Sequence, residues 1–397
     1  MSPDADHGGR GHVVRAIADL PPALVRLILR AEKPSGEICA AAVTAVDGND
    51  IDWHAIATQL EAQGLSMVAY QRLTDAGLAD RIPEPIARAW ASNARHAALQ
   101  CDLQRDDAIL VSDVLSELQV PHAFLKGFVY REWLYDPPWV RAGSDVDVLV
   151  SHDQVELVRE AMLEIGFVQA SRSWDFQRFR PATAREIRLT EAEHYELAQF
   201  ARTLRLVNVP EWLFAPEFKR GTPFTYEKLP DGPVFHSVFD VHWALHFLFA
   251  EERLLDQLMF VTSRHDPELE IPTLNPEWTV FFTIFKLYSE AFDRPAKGLP
   301  LLMDLAALLS ALASEVDWEQ LAASVTKYGF ESGAFYTLSA AERLLGVTAV
   351  PEALLDSWST IAPRREDEPQ PVDFGDFLPQ VLQKRIVARF LPLLRRG

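Results

Sequence analysis

One heptapeptide constrains this chain more than any other. Ser144 to Val150 reads SDVDVLV, and acidic and apolar residues alternate through it with a period of two. Successive Cβ atoms of a pleated chain point to opposite sides, so this alternation marks a strand with one polar face. Asp145 and Asp147 then project from the same face, about 6.8 Å apart along the strand. Asp-x-Asp pairs are common by chance and ordinarily cap helices or occupy turns. Here the pair sits in a β-branched run ending in Leu149-Val150, which turns seldom tolerate.

The flanks repeat the theme. Upstream, the short apolar run His122 to Leu125 is followed by Lys126-Gly127 and a helix-like segment from Phe128 to Tyr135, which Pro137 and Pro138 stop. Downstream, Ser151 with Gln154 reads as a capping box for a helix with apolar Val155, Val158, Met162 and Leu163, closed by Gly166. The order is strand, helix, strand, helix. Residues 171–233 are rich in Arg, Pro and aromatics without clean periodicity, and read as irregular with some helix. Val234 to Trp243 is a second strand, with Val238, Asp240 and His242 on one face and Phe239, Val241 and Trp243 on the other.

Helical periodicity brackets this core on both sides. It runs from Pro21 to about Val120, clearest in Trp53 to Leu65 and Ala98 to Leu118. It returns from Trp278 to about Leu345, where Leu301, Leu305, Leu308, Leu309 and Leu312 share a face. The expected organisation is a mobile tail and helical unit over 1–120, a mixed core over 121–260 and a C-terminal helical unit over 261–362. A linker and basic amphipathic tail follow over 363–397. The fold class is α+β, a small mixed sheet flanked by helical units.

Composition removes several classes of function. The chain has 397 residues, 48% apolar and 24% charged, which is globular usage. Its net charge of −19 argues against wrapping duplex nucleic acid, where Lys and Arg must neutralise phosphates. Cys39 and Cys101 form no C-x-x-C pair, so neither a disulfide framework nor a structural zinc site is expected. The N-terminus lacks the apolar region of a secretory signal. The greasiest run, Leu299 to Ala313, is broken by Pro300 and Asp304 and falls short of the roughly 20 residues a bilayer demands. A cytoplasmic address without a transmembrane segment is expected. The basic tail from Phe377 to Gly397 could rest on a membrane surface or a partner, but docking onto this acidic body is the simpler account.

The chemistry follows from the residue types. Paired carboxylates on one strand face suit shared magnesium ions, for which manganese can substitute. Two such cations, roughly 4 Å apart, clamp the attacking and leaving oxygens of a phosphoryl or nucleotidyl transfer. A third carboxylate is normally wanted, and Asp240, the acid on the polar face of its strand, is the best candidate. Gly127, without a Cβ, lets the backbone approach a phosphate at the start of the next helix, and Lys126 adds a point charge. The bland alternative is a turn glycine beside a surface lysine. Arg141 either contacts a triphosphate or pairs with an acidic neighbour, and Ser144 either donates to a phosphate or ends a turn. His194 and His242 are weaker candidates, since a lone histidine near a core is more often structural than a general base.

Taken together, Leu125-Lys126-Gly127, a helix, Arg141 and then Asp145-Val146-Asp147-Val148-Leu149-Val150 resemble the bacterial family of uncharacterised nucleotidyltransferases. That family lies in the DNA polymerase β-like superfamily. Further matches are Gly166-Phe167, the segment Phe239 to Trp243, Asp304-Leu305-Ala306 and Asp317-Trp318, so the resemblance spans roughly Trp53 to Val350. It implies Asp145, Asp147 and Asp240 as magnesium ligands, and Lys126 and Gly127 at the phosphates of a nucleoside triphosphate such as ATP. One departure is Phe128, where the wider superfamily usually follows its glycine with serine or a second glycine.

The expected activity is magnesium-dependent transfer of a nucleoside monophosphate from a nucleoside triphosphate to an acceptor, either a small molecule, a sugar, a peptide or a protein. Duplex nucleic acid is disfavoured as a partner by the charge. Two alternatives come from other classes. One is a nucleotide-binding or regulatory module that kept the fold and lost turnover, which predicts an incomplete metal site and would be supported by Asp240 lying far from Asp145 and Asp147 with no other carboxylate in reach. The other is an all-helical interaction protein with a small sheet insert.

Overall fold

The computed structural model describes residues 13–14, 20–172, 179–207, 225–229, 232–250, 252–293, 298–347 and 349–360. The first dozen residues, the proline-rich segment 363–371 and the basic segment 377–397 lie outside the described residues.

In chain order the elements begin with β1 (Val13–Val14), α1 (Pro22–Ile28), α2 (Gly36–Asp47), β2 (Asp50–Ile51), α3 (Trp53–Ala62), α4 (Ser66–Asp75) and α5 (Glu84–Glu117). The mixed region follows: β3 (His122–Leu125), α6 (Lys126–Trp133), β4 (Val146–Val150), α7 (Val155–Glu164), β5 (Val168–Arg172), β6 (Phe179–Pro181), α8 (Ala184–Glu193), β7 (Phe200–Arg205), β8 (Tyr226–Leu229) and β9 (Gly232–His242). A hairpin, β10 (Leu258–Thr262) and β11 (Glu270–Leu274), leads to α9 (Pro276–Asp293), α10 (Gly298–Leu312), α11 (Trp318–Lys327), α12 (Glu331–Leu345) and α13 (Glu352–Ser359).

The architecture is α+β. A seven-stranded mixed sheet runs in the order β3-β4-β9-β7-β5-β6, with β8 pairing β9. Only the β4–β9 pair is parallel in this sheet; β3 is antiparallel to β4, and β7 and β8 to β9. The sheet is larger than its sequence texture suggests, because residues 171–233, read as irregular, contribute β6, α8, β7 and β8. Short strands of two to six residues present too few repeats for a period of two to stand out.

Two local expectations need correction. Ser151 makes no side-chain cap; its carbonyl accepts from Gln154 N–H in a 3-10 turn, and α7 starts only at Val155. The capping box instead forms at Thr183 and Glu186, at the start of α8 inside the supposedly irregular stretch. Gly166, at φ +92°, does end the α7 turn as its sequence position implies.

The apolar face of β4 carries Val146, Val148 and Val150, all buried. A continuous core joins them to the N-terminal helices and to the leucines of α10. Buried polar ties set the register of helices against sheet. Gln100 and Gln104 on α5, both fully buried, donate to the Gly143 carbonyl at 2.6 and 3.3 Å, pinning the loop that leads into Asp145. Asp107 on the same helix takes Arg202 from β7. From the other side, Tyr130 on α6 shares a 2.6 Å hydrogen bond with Thr283 on α9.

Arg141 and Asp304 form a further tie of this kind. Arg141 Nε and Nη2 grip the Asp304 carboxylate at 2.8 and 2.7 Å, and Tyr135 donates to it at 2.6 Å. Asp304 is fully buried. Asp304→Ala would strand a guanidinium and a phenol, and is expected to cost about 3–5 kcal/mol, as removal of one partner from a buried pair does. Urea denaturation checks this; a loss under about 1 kcal/mol, the worth of an exposed pair, would mean the contact is not desolvated.

Candidate active site

The three acids come together on one sheet face. Asp147 lies directly opposite Asp240 in the parallel pairing of β4 with β9, so their Cα atoms sit on strands about 4.8 Å apart. Asp145 precedes the strand by one residue, at the end of the loop pinned by Gln100 and Gln104, and is half-buried. Ser144, half-buried beside it, belongs to the same loop.

The charges on this face are coupled. Burial alone would raise the Asp147 carboxyl, but the Lys126 ammonium and the His242 hydrogen bond hold it well below the usual carboxylate range. Lys126 Nζ lies 3.0 Å from Asp147 Oδ1, and His242 Nε2 lies 2.9 Å from the same oxygen. Asp240 goes the other way: burial first, then repulsion from Asp145, Asp147 and Glu196, lifts its proton affinity well above normal, against one hydrogen bond from Gln199 Nε2 at 2.8 Å. Two carboxylates on neighbouring strands have thus been driven apart in acidity by their surroundings.

In the Lys126-Gly127 turn the left-handed conformation falls on Lys126, at φ +47°. A non-glycine residue there carries on the order of 1–3 kcal/mol of strain, which the surrounding packing must sustain. Gly127 matters for space instead. A Cβ built on it would meet only Arg141 Nη1, at 3.9 Å. The glycine therefore opens a gap at the start of α6 that is faced by a guanidinium. Of the two readings of Arg141, the structure shows the pairing with an acid, Asp304, through Nε and Nη2; Nη1 lies 3.9 Å from where a Gly127 Cβ would stand. Lys126 also lies over the Phe282 ring of α9, 5.4 Å from its centroid.

The histidines separate. His242 is buried and touches Asp147, whereas His194 is exposed at the C-terminal cap of α8, its backbone N–H bonded to Thr190. The residue of that segment that reaches the site is Glu196, whose Oε2 lies 3.3 Å from His242 Nδ1 without the alignment of a hydrogen bond. Glu196 and Gln199 are members of the site that sequence reasoning did not single out; Arg172 belongs to a run of arginines, 172 to 205, that the sequence offers for closing over the nucleotide or acceptor, though for most of them a solvated surface is the simpler account. Arg172, on β5, interacts electrostatically with Asp145 and Asp240 and stacks 5.0 Å over Phe179. Of the other arginines from 172 to 205, Arg202 is committed to Asp107 and Arg180 to Glu186. No local motif announces Glu196 or Gln199, because their place is set by the chain pairing back onto β9 at Glu196 and His242.

As the side chains lie, no group of three His, Cys, Asp or Glu residues among the described residues encloses a metal position. The Asp147 and Asp240 carboxylates are turned toward Lys126, His242 and Gln199. The donor set nevertheless fits a hard divalent cation. It is all oxygen, acidic and shared across two strands, and it is already partly neutralised by an ammonium on Asp147.

Similarity to known proteins agrees in kind. Residues 49–346 match the family described as uncharacterised nucleotidyltransferase. No curated protein matches the chain. Among solved structures, an antigenic nucleotidyltransferase-like protein from Paracoccidioides brasiliensis is similar over 64% of this chain and 95% of that one, at 14% identity and a TM-score of 0.33. That structural likeness is too weak to carry an argument. Among the described residues, no helix is long and apolar enough to cross a membrane. The family match covers well over half of the sequence, including the Lys-Gly turn and all three acids, and the chain belongs to the uncharacterised nucleotidyltransferase family.

Proposed function

We propose that this chain transfers a nucleoside monophosphate from a nucleoside triphosphate to an acceptor, through Asp145, Asp147 and Asp240. The observation that carries this reading is the register of Asp147 with Asp240 on adjacent parallel strands, with Asp145 two residues upstream. A module that had lost turnover would be expected to keep Asp240 apart from the other two. The family match supports the reaction class.

Asp145, Asp147 and Asp240 would hold magnesium or manganese, which supplies Lewis-acid stabilisation of the phosphoryl oxygens. The triphosphate would lie at the start of α6, where Gly127 admits it, the first backbone N–H groups of the helix face it, and Lys126 and Arg141 neutralise it. Ser144 would donate from the adjoining loop. The acceptor oxygen attacks the α-phosphorus, its bond to phosphorus forms as the bond to pyrophosphate breaks, and its proton needs a base. Asp240, opposite Asp147 on the neighbouring strand, would orient the acceptor or take that proton. The acceptor is a small molecule, a sugar, a peptide or a protein. The net charge of −19 disfavours duplex nucleic acid. The DNA polymerase β-like superfamily, a bacterial source and a cytoplasmic address belong to the same proposal.

Gly127→Ala tests the cradle. The new methyl group has ordinary clearance from Arg141 Nη1, at 3.9 Å, and alanine in a helix is favoured over glycine by up to about 1 kcal/mol. Stability should therefore hold or rise. Affinity for ATP with magnesium, measured by calorimetry, should fall about tenfold or more, the 1.4 kcal/mol expected for one lost charge-assisted contact. Unchanged affinity would place the phosphates elsewhere, and a wild-type protein that bound no triphosphate would refute the proposal.

A further inference from the structure

Asp147 is gripped by one oxygen only. Lys126 and His242 both donate to Oδ1, at 3.0 and 2.9 Å, and no described residue donates to Oδ2. The two donors differ in kind. Lys126 ends a flexible stem, is 22% exposed, and stands one residue from the gap at Gly127. It can exchange Asp147 for a polyphosphate. His242 cannot follow. Its side chain is 5% exposed, and its backbone is paired on one edge with Leu149 of β4 and on the other with Glu196. The ring stacks on Tyr195 with centroids 5.9 Å apart and planes 29° from parallel, and its Nδ1 faces Glu196 Oε2 at 3.3 Å.

A carboxylate only accepts hydrogen bonds, so Nε2 must carry the hydrogen that binds Asp147 Oδ1. Nδ1 faces Glu196 without the alignment of a hydrogen bond, so it is the backbone pairing on both edges and the stack on Tyr195 that hold the ring in place. The geometry points to His242 as a positioning residue that presents Asp147 Oδ2 to a divalent cation. The assignment rests on the divalent-cation reading of the three acids. It replaces the choice between structural histidine and general base: with Nε2 bonded to Asp147, the ring orients a ligand and does not take the acceptor's proton.

Such outer contacts typically change metal affinity by about 10–100-fold when removed. The probe is Mn2+ alone, titrated into the nucleotide-free full chain and followed by electron paramagnetic resonance, with thermal melting alongside. His242→Gln places an amide nitrogen near the reach of Nε2, whereas His242→Asn places one near that of Nδ1. We expect His242→Asn to weaken Mn2+ binding about 10–100-fold and His242→Gln to stay close to wild type. If His242→Asn binds Mn2+ like wild type while Asp147→Asn does not, the positioning role is overturned and the cation reading stands. If Gln and Asn weaken binding equally, in proportion to lost melting temperature, the role is structural and the proposal is likewise overturned. Should the wild-type protein bind no Mn2+, or Asp147→Asn bind it undiminished, the cation reading itself fails.

Discussion

Asp147→Asn is expected to lower the rate of nucleotidyl transfer by about 1,000-fold or more. That corresponds to the several kcal/mol a bound cation contributes to phosphoryl charge stabilisation, at about 1.4 kcal/mol per tenfold. The amide keeps the shape of the side chain and removes the charge that holds both Lys126 and His242. Asp145→Asn should act alike, because it lies on the same face two residues earlier. The measurement is transfer from a triphosphate labelled at its α-phosphate, scored as label retained on an acceptor in a cell extract. A variant within about tenfold of wild type would mean that Asp147 contributes no more than one ordinary contact, worth about 1.4 kcal/mol.

The same chemical change one strand away should have the opposite effect on stability. Asp240 binds its proton more tightly in the folded protein than its ordinary value of 3.8 would allow, from burial first and then from Asp145, Asp147 and Glu196. Across the window from that ordinary value up to the raised one, the folded state carries more protons than the unfolded state. Stability in the absence of metal therefore falls as pH rises through it. Asp147 is depressed, so its contribution is complete above 3.8 and is lost as pH falls toward its lower folded value. At neutral pH, Asp240→Asn removes a carboxyl whose ionisation burial and its acidic neighbours disfavour, and is expected to stabilise the metal-free protein by about 0.5–2 kcal/mol, the usual range for one favourable substitution. Asp147→Asn should instead destabilise it by about 1.5–3 kcal/mol, the worth of hydrogen bonds to a charged group. Magnesium should reverse the ranking. At 100 times its dissociation constant it adds about 2.7 kcal/mol to wild type and much less to Asp240→Asn. Urea denaturation in chelator and in magnesium measures both; an Asp240→Asn protein less stable than wild type in chelator would contradict the coupling.

How much of this was legible beforehand depends on the length of the signal. The alternation of SDVDVLV survives in isolation, because a strand of one polar and one apolar face needs few residues to declare itself, and β4 begins one residue after Asp145. The 34-residue α5 and the leucines of α10 declare themselves by repetition. By contrast, β6 and β8 are short, and α8 hid behind a Thr183 to Glu186 capping box that the surrounding arginines and prolines obscured. The hairpin of β10 and β11, with Pro272 inside a strand, gave equally little warning. At the site, residues bound to the acids through neighbouring strands could be listed from sequence, but their partners could not. Arg141 was evenly balanced between a phosphate and an acid until Asp304, 163 residues away, came into view. Glu196 and Gln199 have meaning only through the pairing of their segment with β9. Charge at a distance in sequence is decided by topology, which periodicity does not encode.

The account turns on one arrangement, three carboxylates gathered around cations opposite a glycine-opened seat for a polyphosphate. Crystals soaked with magnesium and a non-hydrolysable ATP analogue test it most directly. The expected result is cation density bridging Asp145, Asp147 and Asp240, with Asp147 bonded through Oδ2, Lys126 moved from Asp147 to the phosphates, and the phosphates against Gly127 and Arg141 Nη1. Phosphates bound away from α6, with Lys126 still on Asp147 and no cation at the three acids, would contradict it.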